Sequence, residues 1–150
     1  MATTLHHTHP LLAVTVNNHT DFITLATHCE KLADTLLECN HTQLQQALSE
    51  RLTTCLQILR PTLLDPVPDN LISALTVEQP PQQQPEFAPG SEQLCDYALV
   101  LSQLITYQAL TPEMLPSLRG LLADLVQLFS GQLTAPRWVN TENGVHFIEQ

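Results

Sequence analysis

Apolar residues recur along this chain mostly at steps of three and four, the repeat of one face of an α-helix. From Phe22, the series Leu25, Ala26, Cys29, Leu32, Ala33, Leu36 and Leu37 keeps that spacing. Thr20 and Asp21 precede it with side chains suited to accept from a helix's free N–H groups, so the first helix is predicted from there to near Asn40. Thr42 opens a second series, Leu44, Ala47, Leu48, Leu52, Cys55, Ile58 and Leu59. Arg60 complements the dipole at its end, and Pro61, which lacks an N–H, stops it. The short connection at Asn40 and His41 implies an antiparallel helical hairpin over residues 20–60.

The second half repeats the pattern after an interruption. Residues 61–90 hold seven of the eleven prolines and the run Gln82-Gln83-Gln84, the composition of an extended linker. Leu71, Ile72 and Leu75 predict one short helix inside it, from Asp69 to about Val77. Ser91 is placed to cap a third helix with Leu94, Ala98, Leu101, Leu104 and Ile105 on one face. Thr111-Pro112 starts a fourth, with Pro116 disturbing its first turn, a wide face of Leu118, Leu121, Leu122, Leu125, Leu128 and Phe129, and Gly131 as terminator. Residues 91–131 thus form a second hairpin. Residues 136–149 then switch to period two around Asn143-Gly144, a β-hairpin signal. Ahead of everything, residues 1–18 are a polar, histidine-rich segment ending in the run Leu11–Val16, either a short strand or an apolar lead-in packed on the body.

The two helical hairpins match in phase. Leu44, Leu48, Leu52, Cys55 and Leu59 align at an offset of 70 with Met114, Leu118, Leu122, Leu125 and Phe129. Leu25, Cys29, Leu32 and Leu36 align at 69 with Leu94, Ala98, Leu101 and Ile105. Duplication accounts for this, and so does the common spacing of amphipathic hairpins. The expected fold is therefore all-α in the main: a single domain of two antiparallel helical hairpins in a four-helix arrangement, with a short C-terminal β-hairpin. Composition agrees, since the apolar residues are mostly leucine and only four residues are glycine.

Charge narrows the functions. Fifteen acids face five bases, Lys31, Arg51, Arg60, Arg119 and Arg137, giving a formal charge of −10. Nucleic-acid binders neutralise phosphates with clustered cations, and anionic membranes attract the same residues. Five scattered cations supply neither footprint, so direct nucleic-acid and membrane binding are not expected. A basic protein surface would be steered towards this chain. Neither a basic leader nor an apolar run long enough for a signal peptide or a membrane span stands out. Cys29, Cys39, Cys55 and Cys95 form no CxxC pair and read as reduced thiols, which points to a cytoplasmic protein.

Three groups of residues carry candidate chemistry. Glu30, Asp34 and Glu38 form an i, i+4, i+8 stripe opposite the apolar face of the first helix. Like charges at this spacing cost a few tenths of a kcal/mol per pair. The stripe is a solvated face, a docking strip for a basic partner, or half of a carboxylate metal site; the last needs a Glu-x-x-His on another predicted helix, and none has one. His6, His7 and His9 are imidazoles without nearby sulfur or carboxylate ligands, so no metal or other cofactor is expected. Arg137, Trp138 and Phe147 adjoin the β-hairpin; Trp and Arg are over-represented at interface hot spots, but Trp138 could equally be buried beneath the hairpin. GxSxG, glycine-rich phosphate and HExxH motifs are missing, so catalysis is not expected. The reading is a non-enzymatic acidic protein-binding module: an adaptor, a specialised chaperone, or an inhibitor of a basic or nucleic-acid-binding protein. The alternative is a homo-oligomeric structural or assembly protein, and a leucine-rich bundle is suited to homodimerisation.

Overall fold

A computed structural model of the chain describes residues 9–83, 86–108 and 110–148. The structure is mainly α-helical with a short C-terminal two-stranded sheet. It divides into two compact units, residues 1–80 and 81–150, with the division inside the proline-rich stretch.

In the first unit a helical turn α1 (Pro10–Ala13) precedes α2 (Phe22–Glu38) and α3 (Thr42–Leu59). Asp21 caps α2 as expected, its Oδ1 accepting from the Thr24 N–H at 2.8 Å. α3 begins at Thr42 as expected, and His41 caps it, with Nδ1 accepting from the Leu44 N–H. The apolar run at the N-terminus resolves into that helical turn followed by extended backbone at Val14. Leu11, Leu12 and Val16 pack against a core of Cys29, Leu32, Leu48 and Cys55. The broad face expected on α2 shrinks to a seam: Leu25, Cys29 and Leu32 are buried, whereas Ala26 and Ala33 are exposed and Leu37 is 87% exposed. Two packed helices enclose only the strip between them, at alternating steps of four and three. After α3 the chain continues as a 3₁₀ turn (Arg60–Thr62), then α4 (Asp69–Ile72) and a second 3₁₀ turn (Ser73–Leu75), close to the short helix expected there.

The second unit holds α5 (Ser91–Thr106), α6 (Leu115–Thr134) and the strands β1 (Trp138–Thr141) and β2 (Gly144–Phe147). Three local expectations fail here. Ser91 is the first helical residue, with Gly90 at the cap, and its hydroxyl bonds instead to Gln132 Oε1 on α6 at 2.8 Å. A turn over residues 112–114 delays α6, so that Pro116 falls within its first two positions, where a missing N–H costs little. Gly131 does not terminate α6. The helix runs to Thr134 and stops at extended Ala135, because the following Pro136 disfavours helical backbone before it.

The strands pair antiparallel, with Trp138 opposite Phe147 and Thr141 opposite Gly144. The two-residue turn is therefore Glu142-Asn143, one residue earlier than the Asn-Gly signal suggests. Gly144 carries the positive φ, +109°, that this connection needs.

Leu48 lies fully buried in the α2–α3 seam and Leu64 is 99% exposed. Leu48→Ala is expected to cost about 2–5 kcal/mol in urea unfolding, and Leu64→Ala less than about 0.5 kcal/mol. Equal costs would show that the seam is not the core.

Candidate functional site

Among the described residues, three groups have a displaced proton affinity, and each sits where its surroundings explain the displacement. Asp21 is held below the ordinary carboxylate range by the Thr24 N–H and hydroxyl it accepts from, which is its capping role. His28 is buried on α2, and burial lowers its pKa, with Arg51 and Lys31 adding to the effect. Its Nε2 and the Nε of Arg51 are both buried without a hydrogen-bond partner among the described residues. Burial raises the Cys29 thiol, with Cys55 beside it contributing. His28 is not among the residues the sequence singles out as candidates; Arg51, whose charge acts on it, donates to the Val14 carbonyl of the segment ahead of α2.

Two of the sequence candidates fall in the first unit. Glu30, Asp34 and Glu38 lie on α2 and all three are exposed. Among the described residues no three His, Cys, Asp or Glu side chains come together as a metal site would require. His6 and His7 lie outside the described residues. His9 is described, and its Nδ1 accepts from the Leu11 N–H at the start of α1. Among the described residues no helix is long and apolar enough to cross a membrane. All four cysteines are free: Cys29 and Cys55 are buried, Cys39 is half-buried, and Cys95 is exposed.

The other candidates meet in the second unit. Trp138 and Phe147 face each other across the strands, their rings 6.2 Å apart and steeply inclined, an edge-to-face pair. The Ile148 N–H donates to the Arg137 carbonyl, so the neighbouring Trp138–Phe147 pair lies at a non-hydrogen-bonded position, where side chains approach most closely. The alternation of the strands puts Val145 on the same face. The alternative in which Trp138 is buried does not hold: every residue of both strands is exposed, with Trp138 at 61%, Phe147 at 63% and Val145 at 67%. Arg137 points elsewhere. Its guanidinium donates to the Leu133 carbonyl at 3.1 Å, fastening the first strand to the end of α6.

The acidity has no single centre. Residues 1–80 contain eight acids and three bases, and residues 81–150 contain seven and two. The acids are thus spread over both halves of the chain, whereas the aromatic pair is confined to one face of the two strands.

Compared with protein-family models, with curated proteins and with solved structures, the chain finds no match in any of the three.

Two outcomes test this description. His28 has a folded pKa below its ordinary 6.5, so the unfolded chain takes up its proton first as pH falls. Its neutral form is accommodated fully above that value, and stability is lost as pH drops below it. Chemical denaturation at pH 7.5 and pH 5.5 should show this loss, and His28→Leu should reduce it; an unchanged slope would remove His28 from the account. Alkylation with iodoacetamide followed by mass spectrometry should modify Cys95 before Cys29 and Cys55, which are expected to react only on unfolding.

Proposed function

We propose that this chain is a non-enzymatic acidic protein-binding module that grips a basic-surfaced partner protein through the exposed Trp138–Phe147 face. The observation that supports this most is an aromatic pair organised by strand register yet left in water. An aromatic side chain buries 150–250 Å² when covered, so a pocket closing over two of them yields a large gain from a small contact. Rigid β-pairing also limits the entropy lost on docking.

The formal charge of −10 acts earlier in the encounter. It steers a basic partner, and repels nucleic acid and anionic membrane. Glu30, Asp34 and Glu38 offer one exposed acidic stripe for such a partner. An adaptor, a specialised chaperone, or an inhibitor occupying a nucleic-acid-binding surface would each use this division between long-range charge and short-range aromatic contact. The free cysteines suit a cytoplasmic setting, which is part of the same proposal.

A quantitative pull-down from lysate of the source cell, at low and high salt, tests the reading. A stoichiometric partner is expected with the wild type. It should be lost with Trp138→Ala/Phe147→Ala, weakened with Glu30, Asp34 and Glu38 changed together to Gln, and partly released by salt. Each exposed aromatic should account for at least about a tenfold loss of affinity, the effect of about 1.4 kcal/mol. Recovery unaffected by either set of substitutions would overturn the proposal.

A further inference from the structure

Two histidines of the first unit stand where only the neutral imidazole fits. His9 precedes α1, and its Nδ1 accepts from the Leu11 N–H at 3.2 Å. Pro10, the first helical residue, has no N–H, so this bond satisfies the first free donor of the turn. A protonated imidazole carries hydrogen on both nitrogens and accepts nothing. Protonation of His9 therefore ends the bond.

His28 meets the same restriction by a different route. It is 7% exposed, and its Nε2 is buried without a hydrogen-bond partner among the described residues. A proton added at Nε2 would bring a positive charge with no acceptor facing it and little water near it. The charges that act on His28 are both positive, Arg51 from α3 and Lys31 on its own helix, and no carboxylate is among them. Cys29 and Cys55 are the thiols of the adjoining core. Residues 10–16 contain no titratable side chain, which leaves His9 as the titratable group at the edge of that segment.

Arg51 connects His28 to the same segment. Its guanidinium donates to the Val14 carbonyl, while its Nε stays buried and unpartnered among the described residues. α1 packs against both α2 and α3. Leu11, Leu12 and Val16 reach the core of Cys29, Leu32, Leu48 and Cys55 from either side of Val14 in the chain. The segment is thus held by three apolar side chains, one bond from Arg51, and a turn that His9 caps. α1 is four residues long, too short to persist without that packing.

We propose that residues 10–16 form an acid-released strap, docked on the α2–α3 hairpin while His9 and His28 are neutral and freed, with both helices intact, when the two take up protons. In the docked state a proton on His28 stands beside Arg51 in a site that packing has dried. Release readmits water to both cations and breaks no hydrogen bond within α2 or α3. The direction in pH follows from this. Docking has its full strength above the ordinary imidazole value of about 6.5 and weakens as pH falls below it. A free imidazole is about nine-tenths protonated at pH 5.5, so each one that must be neutral weakens docking by up to about tenfold. Release also uncovers Leu11, Leu12, Val16 and the edge of the core beneath them, so that proton uptake is converted into exposed apolar surface.

This inference is independent of the Trp138–Phe147 reading. Hydrogen exchange of the full chain, followed by mass spectrometry and corrected for the direct effect of pH on exchange, tests it. From pH 7.5 to pH 5.5, protection of the amides from Leu11 to Val16 should fall by at least about tenfold, while the centres of α2 and α3 stay protected. His9→Asn keeps an accepting oxygen at the cap but does not titrate. His28→Leu removes the buried proton site. The double variant His9→Asn/His28→Leu should keep the segment protected at pH 5.5, and each single variant should recover part of that protection. His19→Asn, at an exposed position beyond the segment, should behave as the wild type does. The wild-type comparison needs no variant to fold. A segment unprotected already at pH 7.5, or equally protected at both pH values, would overturn the proposal. So would loss of protection in α2 and α3 together with the segment, or a double variant that releases it at pH 5.5 as the wild type does.

Discussion

A seam between two antiparallel helices can bury only residues that alternate at steps of four and three, and the rest of this structure follows from that limit. Each hairpin meets it with four residues per helix, but a two-helix layer still has flanks. What lies on those flanks decides whether a position spaced like core becomes core. The N-terminal segment encloses one flank of the first hairpin and draws His28 and the Nε of Arg51 out of water. A neutral imidazole tolerates that site better than a charged one, which ties the packing of residues 10–16 to a proton equilibrium on α2. The flank of the second hairpin has no such enclosure at Leu121 and Leu128.

Much of the helical architecture was legible in the sequence because leucine periodicity reports the seam directly. Leu48 and Cys55, or Leu94 and Leu125, are buried where spacing puts them. Periodicity overstates the width of the face, however. Leu37 and Leu121 continue their series as well as Leu36 and Leu122 do, and are exposed because no third layer lies over them. Helix ends were less legible, since several residues qualify chemically for each one. Gly131 was the expected stop for α6; within a helix the glycine costs only about 1 kcal/mol, whereas Pro136 constrains Ala135 sterically. Turn chemistry had the same ambiguity at Asn143-Gly144, where the strand register places only Gly144 at positive φ.

The candidate site divided along a different line. Glu30, Asp34 and Glu38 are exposed as their helical spacing requires, because a carboxylate leaves water only with a partner. Trp138 could not be placed from sequence, since an indole is equally suited to a core or to an interface. Its exposure is a property of the fold: β1 and β2 pair with each other and no apolar layer encloses either face. Arg137, grouped with Trp138 by adjacency, serves the end of α6 instead, where carbonyls lack intrahelical partners.

Acidity and apolar exposure are usually opposed on one surface, yet here they are separated by residue type and position. Spread over both halves of the chain, the acids keep copies apart except where they are missing. They are missing from the Trp138–Phe147 face. Net charge of this sign repels acidic surfaces and attracts basic ones over a long range. The hydrophobic gain then acts only at short range, after charge has chosen what may approach. An apolar patch that would promote indiscriminate association on a neutral protein becomes selective when the remaining surface repels other acidic molecules.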